Sequence, residues 1–516
     1  NKYIKYYIMN PESEIKLRRR SFLAWCSGVG FGSTLFPNLL WAQSKNGLKS
    51  ITNEMIDSAA RLAGLSFSQI DREEMVLGIN ANLASYKALR KIRIDQNTPP
   101  PIYFNPAVPG QKFSKKRKPF IQSKRIPVSR PSNLEEIAFW PITDLSQLIE
   151  SRQVSSEELT QMYLKRIKQH DSKLNSVITL TEKLAIKQAR KMDREIKAGN
   201  YRSSLHGIPW GAKDVIAKSG YRTTWGAKAY RNQVIDYDAT LVSRLEEAGA
   251  VLIAKLSTGE IARGDRWFDK QTRNPWKINE GSGGSSAGPG SATAAGLVGF
   301  SIGSDTTGSI LGPSRTCGIS GLRPTFGRIS RHGVMPVCWS LDKVGPMCRS
   351  VEDCAIVFQS IHGPDNQDLS LVDMPFNWNG NKNLKELRIG YIEEAFNENT
   401  HPNDMETLEC LRGMGAELQP IRLPKHAGMD ALQMLLVDEA AAFDELIQTG
   451  KVDLFLQDRI EPEDMLMRIA RLMPAVEYLQ IQRLRMLMMQ GMERALRNID
   501  VYIAPHEGNT NTTTTA

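Results

Sequence analysis

Histidine and cysteine are both scarce in this chain, with seven and six residues among 516. The histidines, His332 and His401 among them, stand at no spacing that a zinc site would use, so no metal and no cofactor is expected. No CxxC pair occurs. Once a leader is set aside, Cys317, Cys338, Cys348, Cys354 and Cys410 remain, an odd number that argues against a disulfide framework. Zinc-finger spacing and an aromatic-basic RNA-binding pattern are also missing. The net charge of +10 is concentrated in Lys16 to Arg20 and Lys112 to Arg130. Such runs read as targeting or solvated segments, and nucleic acid is not expected as the main partner. With 41% hydrophobic and 24% charged residues, the composition fits neither a multi-span membrane protein nor a disordered chain.

The one long apolar run, Leu23 to Ala42, is interrupted by Gly28, Gly30, Gly32, Ser33 and Pro37, which suits a signal peptide better than a membrane anchor. Arg19-Arg20-Ser21-Phe22-Leu23 precedes it and matches a twin-arginine leader. Residues 1–43 are therefore expected to be a leader cleaved after Ala42, with Met9 as the natural start and Cys26 too early in the run to be a lipoprotein cysteine. The expected destination is the periplasm, with no stable span after leader removal; a leader that does not function would leave the protein in the cytoplasm. Export of an already folded protein agrees with the absence of a disulfide framework.

Residues 44–97 read as a helical segment, with Met55, Ala59, Leu62 and Ala63 in one stripe and Met75, Ile79, Leu83 and Tyr86 in another. Residues 98–133 open with Pro99-Pro100-Pro101 and contain no Asp or Glu, which predicts an extended wrap or linker. From Leu134 the pattern alternates. A helix is expected from Ser156, a strand over Ser176 to Thr181, and a helix over Thr181 to Lys197. Further on, a strand is expected over Arg388 to Tyr391, a helix over Asp404 to Met414, and strands over Glu417 to Leu423 and Asp500 to Pro505. The predicted class is α/β, a mixed and mostly parallel sheet sandwiched between helices. The methionines from Met465 to Met492 are expected to fill the core, with an apolar substrate entrance as the alternative.

A glycine-serine stretch, GSGGSSAG over 281–288, runs directly into Ala292, Ala294, Leu297, Val298, Phe300 and Ile302, so it is no flexible linker. It lacks the Lys-Ser or Lys-Thr pair of a P-loop and the third glycine of a dinucleotide fingerprint. Gly284 to Gly288 satisfies G-x-S-x-G, which would make Ser286 a nucleophile, but Thr272 to Glu280 does not read as the buried strand that such an elbow requires. A second serine, Ser309, follows 24 residues after Ser285. A hydroxyl needs a base to attack a carbonyl, and Lys213 in LHGIPWGAKD is an unusual candidate.

Five motifs in one order carry a resemblance to the amidase signature enzymes: His206-Gly207-Ile208-Pro209 with Lys213-Asp214; Thr272-Arg273-Asn274-Pro275-Trp276; Gly283-Gly284-Ser285-Ser286; Ser304-Asp305-Thr306-Thr307-Gly308-Ser309; and Cys317 to Gly327. The resemblance spans Leu134 to about Pro505 and implies an amidase domain over 134–508. It implies that Ser309 is the acyl-forming nucleophile, Ser285 a bridging serine on a cis peptide after Gly284, and Lys213 the base. Desolvation would have to lower the lysine's pKa for that role. The N–H groups of Thr306, Thr307, Gly308 and Ser309 would form the oxyanion hole, with Asp305 orienting the loop and Ser286 a supporting neighbour. Two positions depart from the family pattern: Leu311 replaces an arginine, with Arg315 as the candidate substitute, and Thr307 replaces a glycine.

The chain ends in a polar, threonine-rich tail over 509–516, earlier than family members usually end, which reads as a shortened domain. The expected activity is hydrolysis of a small-molecule amide through an acyl-enzyme, with a homodimer as the expected assembly if there is one. The first alternative is a component like the A subunit of the glutamyl-tRNA amidotransferase, which releases ammonia from glutamine. The second is a catalytically impaired amide-binding homologue.

Overall fold

The computed structural model describes residues 50–89, 104–397, 400–424, 435, 437–455 and 463–505. The expected twin-arginine leader with Met9 and Cys26, the Pro99 to Pro101 run and the threonine tail lie outside the described residues. The chain falls into two compact units, residues 1–82 and 83–516. In the first, the helix Asn53–Leu62 is followed by the start of a second helix, Gln69–Leu89. The Asn80 carboxamide clasps the backbone of Ile51 by accepting from its N–H at 2.7 Å and donating to its carbonyl at 3.1 Å. Ile56, Ala60 and Met75 are buried.

The strands of the second unit are, in chain order, β1 (Val177–Leu180), β2 (Pro209–Lys213), β3 (Val251–Leu256), β4 (Arg266–Trp267), β5 (Lys270–Gln271), β6 (Arg273–Asn274), β7 (Lys277–Gly281), β8 (Phe300–Asp305), β9 (Ser320–Gly321), β10 (Lys343–Cys348), β11 (Ile389–Ile392), β12 (Leu418–Ile421) and β13 (Val501–Ile503). Six form the main sheet in the order β1-β3-β2-β8-β10-β9, and β12-β11-β13 form a second sheet. Four of the seven pairings in these two sheets are parallel and three antiparallel. The expected mixed, mostly parallel sheet with flanking helices is what forms.

The heart of the main sheet is the parallel trio β3, β2 and β8. All six residues of β3 are buried, as expected of a strand in a sheet covered on both faces, and its one charged residue, Lys255, is paired with Asp214 at 2.8 Å. The indole of Trp210 on β2 stacks on Phe300 of β8 with ring centres 6.0 Å apart. The helix Glu182–Lys197 turns Ala185, Gln188, Ala189, Met192 and Ile196 inward at helical spacing, and its Gln188 side-chain carbonyl accepts the Leu252 N–H. The preceding helix, Ser156–Leu174, opens on a capping box between Ser155 and Glu158.

Residues 104–133 run extended and helix-free along this unit. Ile121 bridges to Asn379, Phe120 packs on Phe376 and Trp378, and Arg130 reaches Glu158 at 2.9 Å. Of the methionines from Met465 to Met492, Met467, Met486, Met488, Met489 and Met492 are buried. Met473 instead lines a cavity of about 850 Å³ with Phe104, Phe326, Trp339 and Tyr478. No described helix is long and apolar enough to cross a membrane.

Candidate active site

Because β2, β3 and β8 run parallel, their carboxyl ends share one edge of the sheet, where open α/β sheets characteristically place their sites. Lys213 is the last residue of β2, and Ser304 and Asp305 are the last two of β8. The loop after β7 brings Ser285 to the same edge before the chain enters the helix Ala287–Ala294.

Lys213 is fully buried, and its Nζ donates to Ser285 Oγ at 2.7 Å and to Ser304 Oγ at 2.9 Å. No carboxylate among the described residues pairs with it directly. Burial lowers its pKa to about 7, against a smaller opposing pull from Asp305 and Asp342. The Gly284–Ser285 peptide is cis, and the Ser285 carbonyl accepts the Gly259 N–H.

Ser309 reaches this site through its backbone: its carbonyl accepts the Ser286 N–H at 3.1 Å. Its half-buried side chain makes no hydrogen bond to Ser285 or to any other described residue. Ser286 has a different task. Its hydroxyl donates to the Ser304 carbonyl at 3.0 Å and accepts the Ser304 N–H at 3.2 Å, clamping the start of its helix to β8. The residues ahead of it form an exposed edge ribbon, β6 with β7, instead of the buried strand that a nucleophile elbow needs.

The loop between β8 and the helix Leu311–Cys317 is organised by Asp305, whose two carboxylate oxygens accept the N–H groups of Gly308 at 2.8 Å and Ile310 at 2.7 Å. Gly308, at a φ of 135° that favours glycine, is therefore already engaged through its N–H. The N–H groups of Thr306, Thr307 and Ser309 have no acceptor among the described residues. The guanidinium on the Asp305 carboxylate belongs to Arg323, at 3.6 Å. Arg315 points outward, exposed on the last turn of its helix.

Several residues at this edge were given no role by sequence reasoning. Ser304 is the second partner of Lys213. Asp342 accepts the Thr306 hydroxyl at 2.7 Å, and Lys343 donates to the Thr306 carbonyl at 3.1 Å. The only sequence signal for the latter pair is two adjacent charges opening the apolar strand β10. Behind the site, Asp214 pairs with the equally buried Lys255 at 2.8 Å and accepts from Thr224, which anchors the turn that follows Lys213. Among the described residues no cluster of His, Cys, Asp or Glu could hold a metal ion.

Similarity to known proteins identifies the family. Residues 158–515 match the Amidase family. The A subunit of glutamyl-tRNA(Gln) amidotransferase from Geobacter metallireducens is 35% identical over 396 residues, covering 70% of this chain and 81% of that protein. The same subunit from Pseudomonas fluorescens is 33% identical over 399 residues, covering 71% and 82%. The native peptide amidase of Stenotrophomonas maltophilia superposes with a TM-score of 0.65 at 29% identity, covering 74% of this chain and 89% of that one. This chain belongs to the amidase family.

Proposed function

We propose that the protein hydrolyses a small-molecule carboxamide to an acid and an amine or ammonia through an acyl-enzyme on Ser309. The observation that carries this reading is the 2.7 Å hydrogen bond between Ser285 and a buried Lys213 whose pKa falls to about 7. A lysine at that pKa holds a large neutral fraction near pH 7 and can accept a proton.

Ser309 Oγ attacks the carbonyl carbon, its proton passes to Ser285 Oγ, and the Ser285 proton passes to Lys213 Nζ. The negative charge on the former carbonyl oxygen is met by the N–H groups of Thr306, Thr307 and Ser309. Collapse breaks the C–N bond, and the departing nitrogen recovers the proton from Lys213 through Ser285. Water then attacks the Ser309 ester by the same relay, releasing the acid and restoring the serine. Asp305 and Arg323 hold the loop that presents Ser309.

Labelling with a fluorophosphonate probe tests the assignment. The wild type is expected to label and Ser309→Ala to stay unlabelled; loss of labelling only in Ser286→Ala would move the nucleophile. The reading as an amidotransferase component is favoured by the two relatives, each at least 33% identical over about 70% of the chain. Rescue of a strain lacking that component would decide for it. Export by the twin-arginine route is part of the proposal, and retention of a fused reporter in the cytoplasm would remove it.

A further inference from the structure

We propose that Lys343 is a positioning residue for the oxyanion site, fixing through the Thr306 carbonyl the direction in which the Thr307 N–H points. The inference rests on the hydrolase reading above.

Lys343 opens β10 directly opposite Asp305 of β8, so the antiparallel register delivers it to the loop that carries Ser309. Its side chain is buried, and its one hydrogen bond among the described residues runs from Nζ to the Thr306 carbonyl at 3.1 Å. A trans peptide is planar, with its C=O and N–H directed oppositely. Holding the Thr306 carbonyl toward Lys343 therefore directs the Thr307 N–H away from it, and that N–H has no acceptor among the described residues. A cation on the carbonyl oxygen also polarises the peptide, which makes its N–H a stronger donor.

The charged neighbours leave Lys343 free for this task. Asp305 is occupied by Gly308, Ile310 and Arg323. Asp342 is occupied by the Thr306 hydroxyl and by the N–H groups of Val337 and Cys338. Burial lowers the Lys343 pKa to about 8; Asp305 and Asp342 oppose the shift, while Arg323 and Arg485 add to it. The charge on the Thr306 carbonyl is therefore present below about pH 8 and lost above it. The rate should climb as Lys213 deprotonates and fall as Lys343 does.

The test measures the rate of fluorophosphonate labelling from about pH 5.5 to about pH 10, a range spanning both lysine titrations, with folding of each variant checked by circular dichroism. Lys343→Met is expected to label at least about tenfold more slowly, in line with the loss of one oxyanion donor's alignment, and to have no alkaline decline. Lys343→Arg keeps its charge throughout the range, so it should recover most of the rate and also lack the alkaline decline. If one variant fails to fold, the other still answers through that limb. Folded variants with the wild-type rate and an unchanged alkaline limb would overturn the inference alone. A wild type without Ser309-dependent labelling would overturn the hydrolase reading and this inference with it.

Discussion

Lys213 shows how a residue's job is set by what surrounds it. It is wholly buried with three hydroxyl or carbonyl oxygens around its ammonium and no direct counter-ion among the described residues, so the charged form is disfavoured. Two consequences have opposite practical signs. In the proposed mechanism the neutral form is the base, so kcat/KM should rise with pH through about 7, the value in the folded protein. The ordinary value is 10.5. An unfolded chain therefore binds a proton here that the folded one does not, the burial cost is fully present below pH 7, and it fades as pH climbs toward 10.5. Lys213→Met should lose at least about 10³-fold in kcat, as expected when a member of a cooperating triad is removed. Its melting temperature relative to wild type should be most favourable near about pH 6 and decline by about pH 9. A melting difference that does not vary with pH would show that Lys213 is not held near neutrality. Lys213, Ser285 and Ser309 were named from five motifs that occur in order, and of these the structure joins Lys213 to Ser285 by a hydrogen bond. Ser304, Asp342, Lys343 and Arg323 were not assigned, because they meet their partners only in the folded chain: Ser304 reaches Lys213 when β8 pairs with β2, and Asp342 and Lys343 reach Thr306 when β10 pairs with β8.

At the scale of elements, periodicity located what it could. The strand expected over Ser176 to Thr181 forms as Val177–Leu180, and the helix expected over Asp404 to Met414 forms as Pro402–Gly413. The short strand β9 gave no periodic signal; two residues long, it exists through its pairing with β10. The glycine-serine stretch carried its signal in composition, since small residues allow close approach, and the structure shows which approach each permits. A Cβ on Gly288 would collide with the Ser257 backbone nitrogen and the Ser176 carbonyl, so the helix Ala287–Ala294 lies directly against the chain leaving β3. Neither backbone atom can turn aside as a flexible side chain could. Gly288→Ala should cost about 1–3 kcal/mol by overpacking and should lower the labelling rate as well, because the displaced helix begins one residue after Ser286. Chemical denaturation together with labelling checks this. Unchanged stability would mean that the helix can slide away from β3.

Over the whole molecule, stability rests on packing of helices against mixed sheet, and the sulfur chemistry is incidental to it. Cys317, Cys338, Cys348 and Cys354 are free and buried, and Cys410 is free and exposed. Burial raises the Cys317 thiol to about 12 and pushes those of Cys338 and Cys348 upward too. Thiolate is the reactive form, so these groups are doubly shielded, by exclusion of reagent and by lack of ionisation. Treatment with a thiol reagent at about pH 8, followed by peptide mapping, should modify Cys410 within minutes and the four buried cysteines only as fast as the protein unfolds. Reductant should move the melting temperature by no more than about 1 °C, whereas loss of a structural disulfide worth about 2–4 kcal/mol would move it by several degrees. A larger shift would mean that a covalent tie, and not the sheet with its helices, carries a measurable part of the fold. The pair to inspect first would then be Cys348 and Cys354, because Cys354 Sγ donates to the carbonyl of Pro346, two residues before Cys348, at 3.9 Å.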